Sequence, residues 1–398
     1  MKHESWRVQY YMPNPRRKDY ATEPWTGLVA LDPVKYQAHI DKLETEGTRY
    51  MPYSQPMMLE SIDDYYDLYF KESRQIPSYS CGQGISFRTG EHYIAESCCG
   101  HTAAEDIGVW RLHRHFVDFP KIPGVYYDCA QARMCSNTLH GCAGVDAFGK
   151  AYSSAGALRH RKFYIRLKRV MAMHGKDKVL YLHAHDRFVP FTHGIGDYYG
   201  TGEQYFNTMV NNPRYFYAEN MPLKRYQYLY YTPAKGTGII FMTAHYYNTA
   251  HKRTKEDCTG PEYTFAVMTA CMLHDLNLAS HYINNSAMEP WWVIKHNIRL
   301  ADAEFHGYWF SDAVKVTGKK MYASWYSWKT PSPYSRLIIV GNLSRNDQKT
   351  AVSVDWKKMG LDPARVEFVD LWNGQKIASL SGIEVKNNQF RLIGVREK

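Results

Sequence analysis

Short apolar segments alternate with longer helical patterns from Trp6 to Ile283, and this alternation constrains the fold more than any other feature of the chain. Pro33 to Glu46 predicts a helix: Asp32 can cap it, Pro33 suits its first position, and Gly47 stops it. Further helices are expected over Ser61 to Lys71, Ala103 to Phe119, Leu158 to His174, Pro222 to Tyr231, Pro261 to Asn277 and Trp291 to Ala301. In Ala103 to Phe119 the apolar positions include Ile107, Trp110, Leu112 and Phe116, and Pro120 ends the run. Between the helices, Thr48 to Tyr53, Gly124 to Asp128, Lys178 to His183, Gly194 to Tyr199 and Gly238 to Thr243 read as strands. Strands that alternate with helices form parallel β/α units. Roughly eight strand candidates in about 300 residues fit an α/β fold of the (β/α)8 TIM-barrel type better than an open doubly wound sheet. No GxGxxG follows a strand and no GxxxxGK[ST] occurs, so nucleotide-binding folds lose weight.

From about Ser311 the pattern changes. Val314 to Val316, Met321 to Trp325, Leu337 to Gly341, Ala351 to Val354, Val366 to Asp370, Ile383 to Val385 and Phe390 to Val395 read as short strands, with turn signals at Asn373-Gly374 and Asn387-Asn388. The expected organisation is a barrel over residues 1–308 and a small antiparallel β-sandwich over 309–398.

Composition narrows the partners. The 398 residues are 44% hydrophobic and 22% charged, which suits a globular chain and argues against disorder. The longest apolar run, Thr264 to Leu273, falls far short of the roughly 20 residues of a membrane-spanning helix, so no membrane partner is expected. Net charge is 49 − 39 = +10, but Lys and Arg are dispersed. The densest stretch, Arg159 to Arg169, would go round most of a helix and reads as a solvated face, with no nucleic-acid partner. The N-terminus lacks the apolar stretch of a signal peptide, which suggests a cytoplasmic protein or a fragment. Eight Cys, with no CxxC pair, do not make a disulfide scaffold or zinc ribbon. Cys135, His140 and Cys142 could form a partial metal site, but a local disulfide or free buried thiols are favoured, and no metal or cofactor is expected.

Active sites of such barrels sit at the C-terminal ends of the strands. One strand ends in Tyr126-Tyr127-Asp128, another in His183-Ala184-His185-Asp186, and a third leads through Asp197 to Gly200, Gly202 and Glu203. Two carboxylates from different strands on one pocket are what glycoside hydrolysis requires: one attacks or stabilises an oxocarbenium-like centre, and the other protonates the leaving oxygen. Each residue also has a plainer reading. Asp128 could cap a helix, Glu203 could sit on an exposed loop, and the glycines could mark either close backbone approach or a flexible loop. His183 and His185 share a strand face and could line a pocket or, less readily, ligate a metal.

At these residues a family resemblance enters. Gly124-Val-Tyr-Tyr-Asp-Cys-Ala and Cys135-Ser-Asn137-Thr-Leu-His140-Gly-Cys142 resemble a bacterial group of glycoside-hydrolase-like (β/α)8 barrels formerly catalogued as a domain of unknown function. Gly196-Asp197 with Gly202-Glu203 resembles that group's paired-acid segment. Lys2 to Trp6 is similar to the end of an early strand, Gly47 to Ser54 to the next, Arg161 to Arg169 to a helix, and Asn342-Leu343-Ser344 to a strand of the C-terminal sandwich. Members of the group are usually longer and secreted, so the resemblance implies a secreted or periplasmic protein, and a chain that starts at the barrel either departs from the pattern or is a fragment. More distantly, a strand-end Asp followed two strands later by Glu is similar to endo-α-N-acetylgalactosaminidase-type barrels. That similarity implies Asp128 as nucleophile and Glu203 as acid/base in a retaining reaction. The β-N-acetylgalactosaminidase type, with an adjacent Asp-Glu pair, ranks lower because no strand end carries such a pair.

The expected function is therefore hydrolysis of a glycan or polysaccharide by two carboxylates, Asp128 and Glu203. Asp197, His183, His185, Asn137, His140 and Tyr127 are the expected substrate contacts, and Trp6 and Tyr53 are expected to stack on sugar rings. A non-catalytic carbohydrate-binding barrel and a metal-dependent hydrolase built on His183, His185 and Asp128 or Asp186 are the rivals.

Overall fold

The computed structural model describes residues 5–9, 28, 30, 32–55, 58–60, 65–77, 88–89, 92–184, 188–209, 212–230, 237–243, 260–279 and 283–398. The chain divides into two compact units, Met1–Gly200 and Thr201–Lys398.

In the first unit, five parallel strands lie side by side in chain order: β1 (Ser5–Gln9), β2 (Thr48–Ser54), β3 (Gly124–Tyr127), β4 (Val179–His183) and β5 (Tyr198–Thr201, whose last residue belongs to the second unit). Helices α1 (Pro33–Thr45), α2 (Thr102–Asp118) and α3 (Ala157–His174) connect or follow them. Their ends follow local chemistry. The Asp32 carboxylate accepts from the Lys35 amide at 3.0 Å, Pro33 opens α1, and Gly47 leaves it with φ +73°. His101 caps α2. Tyr36, Ile40 and Leu43 of α1, Leu112 and Phe116 of α2, and Phe163, Leu167 and Met171 of α3 pack on one core with Val125, Tyr127, Leu180 and Leu182 of the sheet. Trp110, expected on the apolar stripe of α2, is exposed instead.

The alternation of strand residues settles which side chains meet the helices. Val125, Tyr127, Leu180 and Leu182 face them, so Tyr126, Tyr181 and His183 face the other side of the sheet. Close approach of β3 and β4 depends on Gly124: a Cβ there would lie 2.0 Å from the Val179 carbonyl oxygen.

In the second unit, β6 (Gly238–Phe241) and β7 (Asn277–Leu278) pair in parallel. Helices α4 (Pro261–Leu273) and α5 (Asn285–Asn297) flank the C-terminal β-region. α5 starts earlier than expected because the Asn284 side chain caps it, accepting from the Ala287 amide at 3.0 Å, and the helix continues through Pro290. The antiparallel sheet comprises β8 (Ala303–His306), β9 (Met321–Trp328), β10 (Arg336–Asn342), β11 (Val366–Asp370), β12 (Lys376–Ile377) and β13 (Gln389–Glu397), ordered β8-β9-β10-β13-β11-β12. Two short pairs, Val314–Val316 with Val352–Val354 and Gln348–Thr350 with Ile383–Val385, form its second layer. Leu337 and Ile339 turn toward α4 and α5, while Ile338 and Val340 turn toward the short pairs, so both faces are buried. Among the described residues no helix is long and apolar enough to cross a membrane.

Gly124→Ala should lower unfolding free energy by about 3 kcal/mol or more in denaturant titrations, because the colliding atom is backbone. Asp275, which accepts from the Tyr326 hydroxyl at 2.9 Å, is pushed up to about 6 by burial. Its folded pKa exceeds its ordinary value, so ionisation costs stability as pH rises through that range, with the full cost above it. Asp275→Asn should therefore stabilise the fold by about 1–2 kcal/mol at pH 8, and thermal melts should show the gain vanishing near pH 4.

Candidate active site

The register of the parallel strands aligns four tyrosines in one row: Tyr53 of β2 opposite Tyr126 of β3, Tyr126 opposite Tyr181 of β4, and Tyr181 opposite Tyr198 of β5. Their rings touch in sequence, with centroids 5.5, 4.8 and 6.3 Å apart. Two residues further along each strand, on the same face, stand Gln55, Asp128, His183 and Gly200. The aromatic row is thus the floor beneath a polar layer at the C-terminal ends of the strands. Glycine at 200 makes room for it, since a Cβ there would come within 2.8 Å of the Tyr181 ring and 3.2 Å of His183.

Asp128 is the centre of that layer. Its amide donates to the Ser54 carbonyl at 2.8 Å, extending the β2–β3 ladder by one residue. Cys129 then adopts φ +54°, an uncommon left-handed conformation for a non-glycine residue, and the Ala130 amide returns to the His183 carbonyl at 2.8 Å. One carboxylate oxygen of Asp128 lies 2.6 Å from His183 Nδ1. The other accepts from the Tyr53 hydroxyl at 2.6 Å and from Gln55 Nε2 at 3.2 Å. Gln55 Nε2 also lies 2.5 Å from the Tyr53 hydroxyl. His183 is 1% exposed, whereas 14% of the Asp128 side chain remains open to solvent. Burial alone would raise the Asp128 pKa. Attraction to His183 and hydrogen bonds from His183, Tyr53 and the Cys129 amide outweigh it, and hold the carboxyl well below the usual carboxylate range. Burial, with the adjacent Asp128 charge, pushes the Tyr53 phenol upward, so it stays a donor. These side-chain donors occupy the carboxylate in place of a helix N-terminus, so Asp128 is not a cap.

Glu203 begins a short 3-10 turn, Glu203–Tyr205, in the second unit and is half-buried. Gly202 before it has φ +128°, and a Cβ there would lie 1.8 Å from the Met242 carbonyl oxygen. Both Gly200 and Gly202 therefore serve close approach rather than looseness.

Several expected substrate contacts are placed elsewhere. Tyr127 is on the opposite strand face from Tyr126 and packs in the helix-side core against Phe163 and Tyr164. Asp197 precedes β5, at the end of the sheet opposite Asp128; it accepts from Lys168 Nζ at 2.6 Å and from the Leu180 amide at 2.7 Å. Asn137 is buried, and its amide donates to the carbonyls of Lys71, Glu72 and Arg74 while its oxygen accepts from the Leu139 amide. It holds a loop together from a buried position. His140 lies among cysteines, 3.4 Å from Cys135 Sγ. Trp6 stands near the beginning of β1, opposite Arg49, not at the strand's end near Tyr53. Tyr53 is 5% exposed and grips Asp128 instead of offering its ring face. His185 and Asp186 lie outside the described residues. Gln55 and Tyr126 were missed; the signal was the period of two that carries Tyr53 to Gln55 and Tyr126 to Asp128.

Residues 287–392 match the family model of the glycoside hydrolase 123 C-terminal domain. No curated protein matches the sequence. Among solved structures, a noncanonic maltogenic α-amylase from Thermotoga neapolitana superposes with a TM-score of 0.57 at 8% identity, covering 99% of this chain and 89% of that one. An α-amylase from Malbranchea cinnamomea gives 0.52 at 10% identity, covering 98% and 84%. The Arthrobacter globiformis T6 isomalto-dextranase complexed with panose gives 0.50 at 13% identity, covering 99% of this chain and 65% of that one. The fold is accordingly of the TIM-barrel type followed by an antiparallel β-domain, and residues 287–392 are similar to the C-terminal domain of glycoside hydrolase 123.

Proposed function

We propose that this chain is a glycosidase that cleaves a glycosidic bond in a complex glycan or polysaccharide, outside the cytoplasm, with Asp128 as nucleophile or stabiliser of the oxocarbenium-like centre and Glu203 as general acid/base. The observation that carries this is the setting of Asp128: a carboxylate at the C-terminal end of a parallel strand, bonded by three side chains and still partly open to solvent. A carboxylate kept charged can face a developing positive centre but is a poor proton donor at neutral pH, so the leaving oxygen needs a different acid. The match of residues 287–392 to a glycoside hydrolase domain and the shared barrel fold add support.

The first test is a panel of aryl glycosides beside host and algal polysaccharides. On a substrate that responds, Asp128→Asn should abolish turnover. Glu203→Gln should lose activity strongly on poor leaving groups and little on activated ones. Equal loss on both classes would remove Glu203 from the acid role. Proton NMR of the first-formed anomer separates retention, with carboxyls about 5–5.5 Å apart, from inversion at about 6.5–9.5 Å.

Tyr53→Phe tests the carboxylate's support. The variant removes a donor that favours the charged form, so the Asp128 pKa rises toward its ordinary value. The acid limb of kcat/KM should then move to higher pH, with kcat reduced about 10- to 100-fold. An acid limb and a kcat both unchanged would sink the role given to Asp128.

A further inference from the structure

We propose that Cys98, Cys135, His140 and Cys142 form a closed Cys3His site for a structural zinc ion. The four come from two separated stretches: Cys98 just before α2, and the other three on the loop that follows Asp128. Their ligand atoms all lie within 4.8 Å of one another. Cys98 Sγ and Cys142 Sγ are 3.6 Å apart, and Cys135 Sγ is 3.4 Å from His140 Nε2. Tetrahedral zinc with Zn–S near 2.3 Å and Zn–N near 2.0–2.1 Å requires edges of about 3.8 Å between sulfurs and about 3.6 Å from sulfur to nitrogen. The spacing therefore matches ligands around one ion, and the 3.6 Å sulfur pair is far longer than the roughly 2.05 Å of a disulfide.

The surroundings fit as well. His140 Nδ1 donates to the Glu72 carbonyl at 2.5 Å, which leaves Nε2 turned to the sulfurs, the usual outer-sphere arrangement of a metal-bound histidine. The Gly100 amide donates to Cys98 Sγ at 3.3 Å, and Arg159 Nη1 donates to Cys142 Sγ at 3.3 Å. Three thiolates and one zinc leave a single negative charge, which the Arg159 guanidinium meets. Gly100 lets this shell close: a Cβ there would lie 2.6 Å from Cys142 Sγ and 2.9 Å from His140. Four protein ligands with the three sulfurs buried make the site structural, since a catalytic zinc keeps one position open. Asn137, inside the same loop, ties it to residues 71–74 and positions Cys135 and His140 without being a ligand.

Elemental analysis of the full chain, expressed without added metal and purified without metal-chelate resin, should find about one zinc per chain. Cobalt(II) exchanged into the wild-type protein should give thiolate-to-cobalt charge-transfer absorption and tetrahedral visible bands. Both should be lost in Cys142→Ser and in His140→Ala. Removing zinc with a strong chelator should lower Tm by about 5 °C or more, and zinc should restore it. The cobalt spectrum of the wild-type chain decides the question if a variant fails to fold. Absence of bound zinc together with no cobalt–thiolate band would overturn the proposal. So would a Cys98–Cys142 disulfide, read as two thiols that resist alkylation until reduced.

Discussion

A carboxylate that is mostly withdrawn from water must be solvated by protein donors, and the first unit is arranged around that requirement at Asp128. The two neighbouring strands deliver the donors. β2 supplies Tyr53 and, just past its end, Gln55, and β4 supplies His183. Each donor can reach because the parallel register holds strand ends level and because Gly200 leaves the fourth position without a side chain. A one-residue slip of β3 against either neighbour would exchange Asp128 for Tyr127 at this layer and bury the carboxylate among the helices. Register, and with it the contact of β3 with β4 through Gly124, is thus the structural condition for a charged Asp128.

The tyrosine row explains why so aromatic a chain can build such a layer. Rings at Tyr53, Tyr126, Tyr181 and Tyr198 fill the space beneath the polar residues with rigid, edge- and face-packed groups. Tyr53 belongs to both layers, its ring in the floor and its hydroxyl on Asp128. Such double use fixes the carboxylate by packing as well as by hydrogen bonding. It also leaves little freedom for reorientation, which suits a group that must stabilise charge without first rearranging.

How much of this was legible in the sequence follows from which forces are local. The caps of α1, the strand that ends at Asp128 and the short strands after Ser311 are written in neighbouring residues, and they fall where those residues predict. α5 begins upstream of the expected Trp291 because the Asn284 side chain caps it, and the helix runs on through Pro290. At the site, Asp128 and His183 were visible as strand ends. Tyr127, Asp197 and Asn137 were misassigned because a polar or aromatic residue near a strand end carries no label for face or end of the sheet. Period-two bookkeeping would have placed Tyr127 with the helices and Gln55 with Asp128. The carbonyl partners of Asn137 and the sulfur partners of His140 come from segments far away in the chain, so no local pattern announces them.

The loop after β3 joins these themes. It begins with the strained turn at Cys129, directly beyond the carboxylate, and within a few residues enters the Cys98–Cys135–His140–Cys142 cluster. A loop that carries a positive-φ residue at its base pays a conformational cost there, and the cost is sustained only if the rest of the loop is held. Asn137 holds it through three carbonyls, Arg159 through the carbonyls of Gly100 and His140, and the sulfur cluster through Cys98. The anchors lie outside the strands, so the sheet sets the height of Asp128 while the loop sets its turn. A site built this way separates two tasks: strand register aims the carboxylate, and a cross-linked loop keeps the backbone beyond it from relaxing out of a conformation that it would not adopt alone.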